Sequence, residues 1–119
     1  MFVCEKLRAI CQQMDEYRER VKKHRALRAR DFVDIYVASD FFRVDFTSGD
    51  FHALLRKTFA AKYVPLALLG NLRSVREVHR EDFESVRATV KPDFQLQEYD
   101  FYFDFVLEQC QRLESFWDM

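Results

Sequence analysis

The sequence predicts a mostly α-helical protein with a small β wing, and three observations lead there. Hydrophobic residues make up 49% of the 119, thirteen of them Phe, so apolar burial can offset the ordering of the chain. Only two Gly and two Pro are present, few of the tight-turn devices that a sandwich or barrel needs. Apolar residues recur at steps of three and four through most of the chain, and a stretch in its last third alternates apolar with polar.

The first segment shows the cleanest periodicity. Val3, Leu7, Ile10, Met14, Tyr17 and Val21 fall on one narrow helical stripe, between polar residues such as Glu5, Lys6, Gln12 and Asp15. So short a seam needs a surface to cover it. Either its own domain or a partner helix would serve, and a partner would meet Leu7, Ile10, Met14, Tyr17 and Val21.

Residues 31–47 carry apolar positions at mixed spacing and predict a second helix. Thr47-Ser48-Gly49-Asp50 reads as a turn, with Ser48 or Asp50 able to cap the helix Phe51–Phe59, in which Leu54 and Leu55 would be buried. Tyr63-Val64-Pro65 reads as a short extended piece, because the residue before proline is pushed out of the helical region. Leu68, Leu72, Val75 and Val78 then predict a helix over residues 66–79, and Phe83, Val86 and Val90 another, opened by Glu81-Asp82 and ended by Lys91-Pro92. Phe94-Gln95-Leu96-Gln97 alternates in the manner of a strand, as do Tyr99, Phe101, Phe103 and Phe105 more loosely. Val106, Cys110, Leu113 and Trp117 mark a final helix. The order is that of a winged helix-turn-helix over residues 31–119, preceded over 1–30 by an amphipathic helix with a basic end and closed by a C-terminal helix.

The net charge of −1 conceals an asymmetry. Residues 18–30 hold seven Arg or Lys and one Glu, whereas six acidic residues from Glu98 to Asp118 meet one Arg112. The two stretches can pair within the fold, or the basic one can meet nucleic acid or another acidic partner. Cys4, Cys11 and Cys110 are odd in number and without metal-ligand spacing, which predicts reduced thiols in an intracellular protein, nuclear or cytoplasmic. No signal sequence or membrane-spanning run is expected. His24, His52 and His79 suggest no metal site, and no Gly-rich phosphate loop or nucleophile elbow appears. The residues therefore predict a binding protein, not an enzyme, with no cofactor, no metal and no membrane partner.

From about Phe41 to Tyr99 the chain resembles the La motif, the winged helix-turn-helix of La and La-related RNA-binding proteins. Leu54-Leu55-Arg56-Lys57 resembles that family's Phe-Leu-Arg-Lys element, and Tyr63-Val64-Pro65-Leu66 repeats its Tyr-Val-Pro-Leu. The following apolar helix is in register, though Ser74 takes the place of the family's Arg, with Arg73 beside it. Glu81-Asp82-Phe83-Glu84-Ser85-Val86 resembles its Asp-led helix, and Phe94-Gln95-Leu96-Gln97-Glu98 its closing strand. The family's uridine pocket, carried over without a gap, falls on Ser39, Phe42, Arg43, His52 and Leu54. Only one aromatic residue survives there, so the resemblance implies a divergent module with an impaired pocket.

On this reading the chain would be an RNA-binding module inside a ribonucleoprotein. It would hold the RNA backbone through Arg18, Arg20, Lys22, Lys23, Arg25, Arg28, Arg30, Arg56, Lys57, Arg73, Arg76 and Arg80. Phe46, Phe51 and Tyr63 could stack on bases or pack in the core, and Phe116 and Trp117 could form a docking tip or pack likewise. The alternative is an assembly subunit that uses the Val3–Val21 stripe and the acidic, aromatic C-terminus, and binds a protein partner but no nucleic acid.

Overall fold

The computed structural model of the protein describes residues 2–17 and 27–113. Its α-helices are, in order, α1 (Phe2–Cys11), α2 (Ala29–Phe42), α3 (Gly49–Ala61), α4 (Arg76–Arg80), α5 (Phe83–Thr89) and α6 (Tyr99–Arg112), with a 3₁₀ helix over Leu66–Val75 between α3 and α4. The mostly helical class stands. The β wing does not, because no strand occurs among the described residues.

Two competing periodicities explain the missing wing. In α6 the buried side chains are Tyr99, Tyr102, Phe103, Val106 and Cys110, at steps of three, one, three and four, which is one face of a helix. Phe101 faces outward on the same helix. The two-residue rhythm of Tyr99, Phe101, Phe103 and Phe105 is thus incidental to an aromatic-rich helix. Residues 94–97 form an irregular connection, held where the Gln97 N–H donates to the Tyr102 hydroxyl at 2.9 Å. With no second strand beside them, their backbone groups have no ladder to join.

The core lies where α1, α2, α3 and α6 meet, and α1 packs on both α2 and α3. Leu7, Ile10 and Met14 are at most 1% exposed, and Tyr17 is buried beside them. Of the two coverings the stripe allowed, the chain's own core is the one observed, and Leu7, Ile10, Met14 and Tyr17 are not displayed to a partner helix; Val21 lies outside the described residues. Each such side chain removed from water contributes roughly 1.5–3 kcal/mol, so the α1 stripe is a major part of the core.

α2 and α6 run side by side, with Phe32 stacked on Phe103 at 5.0 Å and Tyr36 edge-on to Phe101, Tyr102 and Phe105. The start of α2 is fixed from a distance in sequence. The Arg28 N–H donates to His79 Nδ1 at 3.0 Å, and the Ala29 N–H to an Asp82 carboxylate oxygen at 3.2 Å. These partners satisfy donors that a helix start leaves open. Ser48 caps α3, its hydroxyl accepting from the Phe51 N–H at 3.1 Å. Leu55 is fully buried there, but Leu54, expected inside, is 40% exposed.

The segment after Pro65 departs from the predicted single helix. Leu68, Leu72 and Val75 are buried as their spacing requires, but residues 66–75 wind as a 3₁₀ helix before the chain turns α-helical at Arg76. No helix among the described residues is long and apolar enough to cross a membrane.

Candidate functional site

Lys6 lies on α1 between the buried positions Val3 and Leu7, and its half-buried side chain runs across to α2. There its ammonium stands 3.1 Å from Asp31 Oδ1 and 3.3 Å from Asp34 Oδ2. Asp31 is nearly buried, and the Arg28 guanidinium closes on its other oxygen. A carboxylate so placed needs paired cations to be tolerated. Burial pulls the Lys6 ammonium toward its neutral form. The hydrogen bonds and charges of Asp31 and Asp34 together outweigh that pull and hold its pKa above the ordinary lysine value. Lys6 is thus a fixed cation. An ammonium has three donors, and two carboxylates bind it here.

Asp34 also belongs to a groove of about 440 Å³ between α2, α5 and the connection that follows. Arg30, Val33, Asp34 and Val37 form its α2 wall, with positions at steps of three, one and three. Val86, Thr89, Val90, Lys91, Asp93 and Phe94 face them. Val33 and Val86 are buried, whereas Val37 and Phe94 stand 41% and 38% exposed. Arg30 Nη1 donates to the Thr89 hydroxyl at 3.4 Å, across the groove's charged end. A second cavity of about 320 Å³ shares Val37 and Phe94 and continues past Tyr36, Asp40, Phe41, Gln95, Gln97 and Tyr102. The size is that of a small-molecule site.

Among the described residues, the cations expected from the sequence do not form one surface. Arg18, Arg20, Lys22, Lys23 and Arg25 lie outside the described residues, as do Phe116 and Trp117. Arg28 is spent on Asp31, and Arg30 is at the groove. Arg56, Lys57 and Arg73 are exposed, the first two on α3 and the last on the 3₁₀ helix. Arg76 and Arg80, expected to reach outward for phosphates, turn instead to the acidic face of α6. Arg76 meets Asp100 at 3.0 Å and Asp104 at 2.6 Å, while Arg80 meets Glu77 and Asp100, each at 2.8 Å. The two guanidiniums also cover Phe103 and Tyr99, at 4.4 and 5.1 Å. Charge pairing within the fold explains the correction. Phe46 and Phe51 pack on each other in the core, and Tyr63 is 86% exposed.

Sequence reading passed over Lys6, Asp31 and Asp34. The signal was present in one place: Asp31 is in phase with Ile35 and Ala38, both buried, so a carboxylate occupies a core position of α2. Such a residue requires a partner, and the Lys6 side chain is within reach.

The model of the family described as nucleotidyl transferase AbiEii toxin, Type IV TA system, matches residues 1–108. This chain belongs to that family. No curated protein and no solved structure matches it. The AbiEii match includes the Lys6 cluster and the groove, and it overturns the La-motif reading. The Tyr63-Val64-Pro65-Leu66 resemblance is a short local likeness leading into a 3₁₀ helix, without the wing that a La module requires. The RNA-binding ribonucleoprotein role, and the assembly role beside it, fall with that reading. The expectation of a protein without catalytic activity is likewise corrected, because the AbiEii family is one of transferases.

Phosphoryl chemistry of this kind commonly uses divalent cations clamped by carboxylates. Among the described residues of this AbiEii chain, no group of three or more His, Cys, Asp or Glu is placed to hold one. Asp31 and Asp34 hold Lys6, and Asp100 and Asp104 hold arginines. The described donor set therefore does not fit a metal clamp.

Proposed function

We propose that this chain serves a toxin that transfers a nucleotidyl group from a nucleoside triphosphate to an acceptor hydroxyl. Its described residues would hold the donor. In that reaction the acceptor oxygen bonds to the α-phosphorus, the bond from the α-phosphorus to the bridging oxygen breaks, pyrophosphate leaves and the hydroxyl proton passes to solvent. Charge accumulates on phosphate oxygens throughout, so catalysis rests on positioning and on fixed cations. Lys6 supplies such a cation, buttressed by Asp31 and Asp34 so that it does not reorganise as charge develops. Arg30 and Lys91 supply two more at the adjoining groove. The antitoxin that a toxin–antitoxin system implies would be this protein's partner in the cell.

The observation that carries this reading is the family match across residues 1–108, within which Lys6 is a part-buried cation held by two carboxylates. Two measurements on the protein test it: growth of bacteria after its induction, and transfer of label from α-³²P nucleoside triphosphates to macromolecules of a cell extract. Growth arrest together with label transfer, both lost in Lys6→Met, is expected. Normal growth with no label transferred would overturn it.

A further inference from the structure

Phe32, Val33, Ile35 and Ala38 of α2 are buried, but the last two residues of that helix are not. Phe41 and Phe42 are 77% and 69% exposed, and their rings meet edge-on at 4.9 Å. Val37, one turn before Phe41 on the same side of α2, is exposed too, and Phe94 lines the second cavity together with both. Phe101 adds an exposed ring beside Tyr36, which lines the same cavity. Together these five side chains leave roughly 500 Å² of apolar surface in water. That matches the largest apolar patch of an ordinary monomer, and patches of this size commonly mark interaction surfaces.

The charges at this end of α2 say what would cover it. Asp31 and Asp34, nearer its start, are paired with Lys6 and Arg28. Asp40 and Arg43, which bracket the two phenylalanines in the chain, are exposed, and neither has an ion pair or a side-chain hydrogen bond among the described residues. The surface thus carries one unpaired acid and one unpaired base around an aromatic pair. A partner of a single charge sign would suit only half of it. A second copy, related by a two-fold axis, suits all of it: ring meets ring, and Asp40 of each protomer meets Arg43 of the other. We propose that the end of α2, with Val37, Phe94 and Phe101, is the surface on which a second copy of this chain docks. With its polar rim each protomer would bury on the order of 600–800 Å², the lower part of the range for a specific complex. The dimer should therefore form at micromolar concentration. The inference uses none of Lys6, Asp31 and Asp34, and it stands apart from nucleotidyl transfer.

The test is sedimentation velocity of the full chain from about 1 to 100 µM, with circular dichroism as the check on folding. The parent is expected as a dimer at the upper end of that range. Phe41→Ser with Phe42→Ser should weaken association by about thirtyfold or more, the loss that marks a central interface residue. Both rings already face water in the single chain, so the helical spectrum should not change. Asp40→Arg should weaken the dimer by setting like charges together, and adding Arg43→Asp should restore it. That rescue requires the two positions to meet across the axis. A parent that stays monomeric at about 100 µM would overturn the proposal, as would a dimer indifferent to the loss of both phenylalanines. A dimer lost with the phenylalanines but not rescued by the charge exchange would overturn the two-fold pairing of Asp40 with Arg43. A monomeric parent that still transfers label would sink the dimer alone and leave the transferase reading in place.

Discussion

Lys6 Nζ lies 3.1 Å from Asp31 Oδ1, joining α1 to α2 across 25 positions of sequence. The pair does two jobs: it lets a carboxylate occupy a core position, and it fixes a cation on Asp34, which lines the groove. Lys6→Met keeps the stem's packing and removes the charge. Asp31 retains Arg28, so stability should fall by only about 1–3 kcal/mol, whereas label transfer should fall by about two to three orders of magnitude. Lys6→Arg should keep part of the activity. Parallel urea melts and transfer assays separate the two effects, and a Met variant with full activity would remove Lys6 from the site.

Asp31→Asn should cost more stability than Lys6→Met, because it takes the shared anion from Lys6 and Arg28 together. A loss on the order of 2–3 kcal/mol is expected, below the figure for a wholly enclosed pair since both cations are partly solvated. Urea denaturation measures it. A midpoint equal to that of the parent would mean that the α1–α2 tie contributes nothing.

Ile10 carries the decision between self-packing and partner docking. It is fully buried in the α1 stripe, so Ile10→Ala should lower stability by about 2–5 kcal/mol through lost burial and the cavity left behind. Ile10→Asp should leave little folded protein. Circular dichroism with thermal melting checks both, and an Asp variant that melts like the parent would put Ile10 at the surface.

Helix positions and core were legible in the sequence wherever one periodicity acted alone. Val3, Leu7, Ile10 and Met14 are buried at their expected positions, and Ser48 caps where a turn met an apolar run. Reading failed where two signals overlapped. The dense aromatics of residues 99–105 satisfy both a two-residue and a helical rhythm, and only tertiary packing on Phe32 and Tyr36 decides between them. The candidate site failed for a different reason. Cations that cluster along the chain stand out in sequence, yet Arg76 and Arg80 are neutralised by Asp100, 24 and 20 residues away. Lys6 looked like one solvated charge of many until α2 brought two carboxylates to it.

Arg43 ends α2 in the left-handed region, at φ 51°. A Cβ there works against the conformation, and glycine is the usual residue at such a helix end. The side chain is exposed. Arg43→Gly should therefore stabilise the protein by roughly 0.5–1 kcal/mol, seen as a higher urea midpoint. A lower midpoint would show that the arginine side chain contributes more than its backbone strain costs.

The Arg76–Arg80–Asp100 network should make stability sensitive to acid. The Arg80 hydrogen bond to Asp100, resisted by slight burial and joined by Arg76, holds its carboxyl below the ordinary aspartate value. Arg80 likewise lowers Glu77. In the unfolded chain both return to ordinary values, near pH 4. A carboxyl depressed by folding contributes its stability above the unfolded value and loses it as pH falls through the folded one. The urea midpoint should thus hold from neutral pH down to roughly pH 5 and then fall modestly, as exposed pairs contribute little each. Arg80→Ala should lessen that fall, because it removes the guanidinium that holds Glu77 and one of the two that hold Asp100. Added salt should flatten it in the same sense, since these groups are largely exposed to solvent. If the parent and Arg80→Ala lose stability in parallel below pH 5, acid is acting on carboxylates outside this network.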